Sequence, residues 1–237
     1  MFPTSLELLD DPATNGTRAL NDRPLPLSQQ AYEHIRRKII STELAPGSII
    51  DEVTLQADLD MGRTPIREAL QRLSLEKLVT ILPRRGMFVT EIGITDLQRL
   101  FEVRYELEGM AARLAAQRGT PAQFDRMDAI LSHLPPSDQP ADAELLIAID
   151  EASHHLIYEA ADNKFLRDTL TTLYAQSLRL WYFTLSKIGT LQETVAEHQL
   201  ILDALKARDG DEASRLIRDH VQTFHQKKQA AMLGVDG

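Results

Sequence analysis

The chain lacks several things that would place it among secreted or membrane proteins. Its 237 residues include no cysteine, so it can form no disulfide, and any metal site must use histidine, carboxylate or water ligands. No stretch approaches the ~20 consecutive apolar residues that a membrane-spanning helix needs. The first residues, MFPTSLELLD, are acidic where a secretory signal is basic, and no apolar core follows them. We therefore expect a cytoplasmic protein that does not enter a membrane.

The composition is that of a globular protein with an uneven charge distribution. Apolar residues make up 43% of the chain and charged residues 26%, and the length suggests about two domains. The formal net charge is −9. Residues 61–90 nevertheless contain only two acidic residues, both glutamates, and form a basic cluster. Its members are Arg63, Arg67, Arg72, Lys77, Arg84 and Arg85. This local charge suits a nucleic-acid surface, although an ordinary solvated face would explain the charge alone equally well.

The first 92 residues have the pattern of a winged helix-turn-helix that follows an arm. Residues 1–26 are rich in Pro, Asp, Asn and Thr without a sustained period, which predicts a flexible arm. A helix is predicted over 28–42 with Ser28 as its N-cap, followed by a break at Pro46-Gly47 and helices over 52–59 and 63–77. Two short strands, 79–82 and 87–91, flank the turn 83–86. We assign 27–92 to the DNA-binding domain.

The rest of the chain is predicted to be entirely helical. Apolar residues at helical spacing mark a long helix that ends near Gly119. Further helices are predicted over 121–133, 141–161, 164–187, 191–207 and 210–231. We expect a mainly α protein, in which residues 93–237 form an all-helical bundle; its assignment to ligand sensing and dimerisation depends on the resemblance described below.

The start of the helix over 63–77 contains side chains that can read DNA bases. The second helix of such a motif enters the major groove with its first residues. Arg63 and Arg67 lie four residues apart and share a face, and arginine binds guanine through two hydrogen bonds. Thr64 can reach a phosphate or a thymine methyl, while Arg84 and Arg85 beside Gly86 can approach the backbone at the wing tip. Taken singly, these arginines are as well explained as solvated surface residues.

These same residues resemble a known family. The string from Leu44 to Gly47, the core Arg63-Thr64-Pro65-Ile66-Arg67-Glu68-Ala69-Leu70 and the wing segment 83–89 look like the GntR family of bacterial regulators. The resemblance implies that Arg63, Thr64, Arg67 and Gly86 contact the operator. One departure is Gly62, where the family usually has Ser or Thr. Glycine lacks a hydroxyl to cap the helix, so we expect a small loss of stability and no change of role.

A second group of residues is suited to holding a metal. Asp150 and His154 are four residues apart and project from one helix face, while His198 and His220 lie on two later helices that can meet them inside a bundle. Three imidazoles and one carboxylate suit zinc, nickel, manganese or iron. A single helical histidine is more often a surface or core residue. His155 is interpreted in that way because it lies ~100° around the helix from His154.

The helical part also resembles a known domain, the all-helical FCD sensor of the FadR-type branch of GntR regulators. The matching strings are 100–108, 150–154, Asn163, 197–205 and 218–220. The resemblance implies a metal bound by Asp150, His154, His198 and His220, and a carboxylate effector bound by Arg104 and Asn163. Glu108, one turn after Arg104, offers the alternative of an ordinary ion pair. Ser153 stands where the family usually has Phe, which affects packing more than ligation.

Three functions remain open at this point. The leading hypothesis is a homodimeric transcription regulator that binds a palindromic operator and responds to a small organic acid. The second is a metalloenzyme, because Asp plus three His with an open position can activate water. Against it, the sequence has no HExxH motif and no evident acid-base pair. The third is a regulator whose C-terminal domain only dimerises.

Overall fold

The computed structural model describes residues 25–91, 93–139, 141–184 and 191–233. These residues form two compact units. The head unit contains residues 25–98 together with 174–183, and the bundle unit contains 99–173 with the helices after residue 190. The predicted arm over 1–26 lies almost entirely outside the described residues. Among the described helices, none is both long and apolar enough to cross a bilayer.

The head unit begins with three helices, α1 (Leu27–Ile40), α2 (Glu52–Leu59) and α3 (Arg63–Leu75). Helices α1 and α3 pack through apolar faces that are fully buried, with Ile35 and Ile39 on one side and Ile66, Leu70 and Leu73 on the other. The prediction that Ser28 caps α1 is wrong, since the helix begins at Leu27 after Pro26 and has no side-chain cap. Proline lacks a backbone N–H and fixes φ, so it marks this start without a hydroxyl.

The wing follows as an antiparallel pair, β1 (Val79–Leu82) and β2 (Gly86–Val89), with Val79 opposite Val89 and Leu82 opposite Gly86. The turn between them needs left-handed backbone, with φ of 63° at Arg84 and 102° at Gly86. Glycine adopts the second value without strain, which explains its place at the tip. The segment before α2 pairs with the other edge of β2, because Ile50 N–H donates to the Met87 carbonyl at 2.9 Å. The start of α2 is thereby fixed beside the wing.

The final part of the head unit comes from a later helix. Arg179 is 1% exposed, and its guanidinium donates to the carbonyl of Thr90, just after β2. Burial lowers the pKa of Arg179 to about 10. The sequence predicted a domain boundary between residues 92 and 93 and did not assign residues 174–183 to the head unit.

The remaining helices lie wholly or partly in the bundle unit. Their bounds are α4 (Ile94–Arg118), α5 (Pro121–Leu131), α6 (Ala143–Ala160), α7 (Lys164–Thr184), α8 (Leu191–Lys206) and α9 (Gly210–Leu233). Side-chain caps fix where several of them start; for example, Asp142 accepts from Glu144 N–H at 3.2 Å, and Asp209 accepts from Glu212 N–H at 3.0 Å. Helices α6 and α8 pack against each other and α8 packs against α9, which places their buried faces around a common interior.

Candidate metal centre and nucleic-acid interface

The four predicted metal ligands converge in the interior of the bundle unit. Asp150 and His154 lie on α6, His198 on α8 and His220 on α9, and all are at least 97% buried. One potential ligand atom from each residue lies within 4.8 Å of all the others. The Nε2 atoms of His154 and His220 are 3.4 Å apart. Two nitrogens at ~2.0–2.1 Å from one tetrahedral zinc would be about 3.3 Å apart, so this spacing suits a shared metal.

Each of the three histidines is oriented by a hydrogen bond from its Nδ1 atom to an oxygen outside the metal group. Nδ1 of His154 lies 3.0 Å from Glu108 Oε2, and Nδ1 of His220 lies 2.9 Å from Glu197 Oε2. Nδ1 of His198 lies 3.1 Å from the Val195 carbonyl. These oxygens can only accept, which makes every Nδ1 the donor and turns every Nε2 toward the others. Such outer partners fix the tautomer and orientation of metal-ligating histidines.

One unsatisfied atom of this group also suits a metal. His198 Nε2 is buried and makes no hydrogen bond within the described part of the chain; its distance to Asp150 Oδ1 is 3.8 Å. A buried nitrogen without a partner costs free energy unless something binds it. A divalent cation would bind its lone pair, so the donor set fits the metal that the sequence predicts.

Burial and mutual charge shift the protonation of the metal-free group. Burial is the main cause that lowers the pKa of His198 to about 3, so this imidazole is neutral. Burial also lowers the pKa of His220, but its contacts with Asp150 and Glu197 outweigh burial and raise that pKa to about 9. Burial raises the pKa of Asp150, but the three histidines, His154 first, hold it well below its usual value. The group therefore combines a carboxylate, a neutral imidazole and a protonated one.

Arg104 lies in the same interior and forms the ion pair that the sequence offered as an alternative. Its Nε and Nη2 donate to Glu108 Oε1, the first at 3.0 Å, and both side chains are almost completely buried. Tyr158 donates to the same oxygen at 2.6 Å. Burial raises the pKa of Glu108, but His154 and Arg104 overcome this and hold it far below its usual value. Effector binding by Arg104 stays a prediction, with Glu108 now its established partner.

Asn163 has a structural role that spacing did not predict. Its Oδ1 accepts from Leu166 N–H at 3.3 Å, which caps the start of α7. Its contact with an effector also stays a prediction. His155, interpreted as an ordinary residue, lies outside the metal group and pairs with Glu151 at 3.8 Å.

The predicted DNA-reading residues are all exposed on the head unit. Arg63 and Arg67 begin α3 with side chains 68% and 49% exposed, and Thr64, Arg85 and Gly86 are exposed as well. A groove of about 630 Å³ runs between α2, the start of α3 and the wing, and both arginines line it together with Arg84 and Gly86. The N-cap of α3 is Gly62 without a side-chain cap, as the departure from the family pattern predicted. Basic side chains thus surround the exposed start of one helix.

Sequence reasoning missed two carboxylates at the metal group. Glu108 was considered only as a partner for Arg104, and Glu197 was given no role. Glu197 precedes His198 in the chain but hydrogen-bonds His220, which lies on another helix. The signal in the sequence was the presence of an acid at both positions, without any indication of which histidine each one serves.

Comparison with known protein families decides the class of the chain. The model of the bacterial regulatory proteins of the gntR family matches residues 27–89, and the FCD domain model matches residues 99–223. The chain belongs to the GntR family, with an FCD domain. It is therefore a DNA-binding transcription regulator, and FCD domains bind metals and small-molecule effectors.

Several relatives support this assignment. The Nta operon transcriptional regulator of Aminobacter aminovorans is 30% identical over 77% of this chain and 85% of its own. The HTH-type transcriptional repressor RspR of Escherichia coli K12 is 28% identical over 83% of this chain and 86% of its own. The solved structure of E. coli McbR/YncC superimposes with a TM-score of 0.77 at 25% identity, covering 87% of this chain and 98% of that one. These relatives are regulators, which decides against the metalloenzyme alternative.

Proposed function

We propose that this GntR regulator binds a palindromic operator as a homodimer, and that a small carboxylate effector at a divalent metal sets its affinity. The metal would be held by Asp150, His154, His198 and His220. The observation that carries this proposal is the convergence of four buried ligand atoms within 4.8 Å, next to a buried arginine. A purely structural domain has no need for an unpartnered imidazole nitrogen in its interior.

Operator reading is assigned to Arg63, Thr64, Arg67, Arg85 and Gly86. The arginines at the start of α3 would contact base edges in the major groove, where each bidentate contact discriminates by ~1–3 kcal/mol. Arg85 and the backbone at Gly86 would contact phosphates or the minor groove from the wing. All five residues are exposed, and Arg63, Arg67 and Gly86 line one groove, which supports this assignment.

Homodimerisation is supported by an apolar stripe on α4. Large apolar residues recur there at alternating steps of three and four, on a face centred roughly 100° around the helix from the buried Arg104 and Glu108: Leu100, Val103, Leu107, Met110 and Leu114. Val103 and Met110 are 47% and 48% exposed. A period of 3.5 residues is that of paired helices, and a second copy of α4 would cover the stripe.

The effector is proposed to be a small organic acid. A divalent metal supplies a Lewis acid that binds carboxylate oxygens. Arg104 supplies a planar fork that binds carboxylates through two hydrogen bonds, and the effector would compete there with Glu108. Asn163 is the second proposed contact. The effector can change operator affinity only by as much as it binds one dimer arrangement better than another.

Selection from a random duplex library tests the DNA part. The parent protein is expected to enrich a sequence with twofold symmetry, whereas Arg63→Ala combined with Arg67→Ala should enrich none. Equal enrichment by both proteins would contradict the assigned reading residues. Circular dichroism and thermal unfolding check that the variant is folded, which is expected because both side chains are exposed.

A thermal-shift screen tests the sensor part. Protein purified without an affinity tag is assayed for metal and then heated with small carboxylic acids, with and without added divalent metal. A ligand that binds only the folded state raises the melting temperature. We expect metal-dependent shifts that vanish in Asp150→Ala combined with His198→Ala. Negligible metal in the parent and no uptake would instead favour a domain that only dimerises.

A further inference from the structure

Glu52 is placed where it contacts both of the arginines that the proposed function assigns to base reading. It is the first residue of α2, directly after the N-cap Asp51. Its Oε2 lies 3.6 Å from Arg63 Nε and 3.5 Å from Arg67 Nε. That oxygen is buried and makes no hydrogen bond within the described residues. The two arginines are therefore the cations that offset its charge. One carboxylate oxygen is thus shared by two guanidinium groups from another helix.

The backbone around Glu52 is fixed. Asp51 accepts from Val53 N–H at 2.9 Å and from the Thr54 hydroxyl at 2.7 Å, which sets the first turn of α2. The bond between Ile50 and Met87 holds the same end of the helix beside β2. A carboxylate on a fixed turn can hold flexible side chains in one orientation, and long arginine side chains otherwise lose entropy when they bind.

The exposed fractions of the three side chains indicate that Glu52 holds the arginines toward DNA. The Glu52 side chain is 22% exposed, while Arg63 and Arg67 are 68% and 49% exposed. The carboxylate therefore lies below the guanidinium groups, which a duplex would meet first. Both ion pairs are made through Nε, so the two terminal nitrogens of each arginine can form a bidentate pair with guanine.

We propose that Glu52 is a positioning residue that determines base specificity, because it aligns Arg63 and Arg67 for the major groove. Its negative charge also lowers the attraction of this face for any phosphate backbone, since non-specific affinity grows with the number of uncompensated cations. One side chain thereby strengthens reading of the right sequence and weakens binding to the wrong ones. The inference depends on the proposed reading role of the two arginines.

The test compares Glu52→Gln with the parent on two duplexes. One is the sequence that the parent selects from the random library, and the other has the same composition in shuffled order. Glutamine keeps the size of the side chain and removes its charge. We expect affinity for the shuffled duplex to rise and affinity for the selected duplex to fall, so that their ratio drops by about tenfold, within the range of one bidentate contact.

Glu43→Gln is the matched control. It removes the same charge from the head unit, but Glu43 pairs with Lys38 in the turn after α1 and contacts neither reading arginine. It is expected to leave the affinity ratio within about twofold of the parent, a change below the ~1 kcal/mol of one mismatched base pair. Thermal unfolding of both variants shows whether the head unit stays folded.

A second selection with Glu52→Gln separates positioning from direct contact. The base pairs that lose preference should be those that Arg63→Ala and Arg67→Ala relax when tested singly. Loss at a different base pair would mean that Glu52 itself reads a base, for example cytosine through its amino group, and would overturn the positioning role. An unchanged ratio in Glu52→Gln would overturn it as well. If the parent selects no sequence at all, the operator proposal falls and this inference falls with it.

Discussion

The two candidate sites of this regulator are built in opposite ways. The DNA-reading site consists of exposed arginines on one short helix and a hairpin tip, within 24 residues of one another in the chain (63–86). The metal group consists of buried residues from three helices, and the carboxylate that orients one histidine comes from a fourth. Exposed charges cost little to keep and are screened by salt, whereas buried charges must be paired. Changes at the metal group should therefore alter both the stability of the protein and its metal binding. Changes at the reading face should alter DNA binding alone.

Loss of two metal ligands should have the largest effect. In Asp150→Ala combined with His198→Ala, the remaining histidines cannot hold a divalent ion tightly, so bound metal should fall from about one per chain to none. Elemental analysis of untagged protein measures this. The DNA-reading face is untouched, and binding to the selected duplex without effector should persist. If the variant still retained stoichiometric metal, the assigned ligand set would be wrong.

Breaking the buried ion pair should have the next largest effect. Arg104→Ala removes the guanidinium partner of the buried Glu108 and leaves that carboxylate only its hydrogen bonds from Tyr158 and His154. Breaking a buried ion pair in this way costs ~3–5 kcal/mol in free energy of unfolding. The matched control is Arg113→Ala on the same helix, which breaks a solvent-exposed pair with Asp211 that is worth ~0–1 kcal/mol. Urea unfolding of the two variants measures the difference. Equal losses would show that burial does not distinguish these pairs.

The carboxylate behind His220 should affect metal binding without being a ligand. In Glu197→Gln, the Nδ1 atom of His220 loses its charged acceptor, and metal affinity should fall ~10–100-fold. Glu193→Gln removes the same charge from an exposed position one turn earlier on α8 and should leave affinity unchanged. Competition with a chromophoric chelator gives both constants. An effect of equal size in the two variants would reduce the role of Glu197 to general electrostatics.

Metal affinity should also depend on pH with a definite sign. Burial lowers the pKa of His220, but contacts with Asp150 and Glu197 raise it to about 9, so the metal-free protein keeps a proton there at neutral pH. Metal binding must expel that proton, and affinity should rise ~10-fold per pH unit from pH 6 toward 9. His198, with its pKa lowered mainly by burial to about 3, is already neutral over this range. A chelator titration that gave the same constant at pH 6.5 and 8.5 would contradict this protonation.

The smallest effect is expected at the wing. Arg85→Ala removes an exposed phosphate contact, so affinity should fall by a similar factor for selected and shuffled duplexes, with a less steep salt dependence. Thermal stability should stay unchanged because the side chain is exposed. Fluorescence anisotropy over a salt series measures the slope. Loss of preference at one base pair would instead make Arg85 a base-reading residue.

The sequence predicted the site formed by neighbouring residues better than the site formed by residues from several helices. The reading face was predictable because its residues lie close together in the chain, where helical spacing and a glycine turn determine which of them share a surface. Asp150 and His154 were predictable from their spacing on one helix. The pairing of Glu197 with His220, and of Glu108 with His154, depends on how four helices rotate against each other, which no local pattern specifies. Likewise Glu52 reaches Arg63 and Arg67 only because α2 and α3 pack together.

The coupling between the metal group and DNA binding is tested most directly by a titration of the selected duplex, with and without the carboxylic acid that gives the largest metal-dependent thermal shift. It is run on the parent and on Asp150→Ala combined with His198→Ala. We predict that the acid changes the operator affinity of the parent by about 5–150-fold, the usual range for coupled sites, and leaves the variant unaffected. An equal response in both proteins, or no response in the parent, would contradict it.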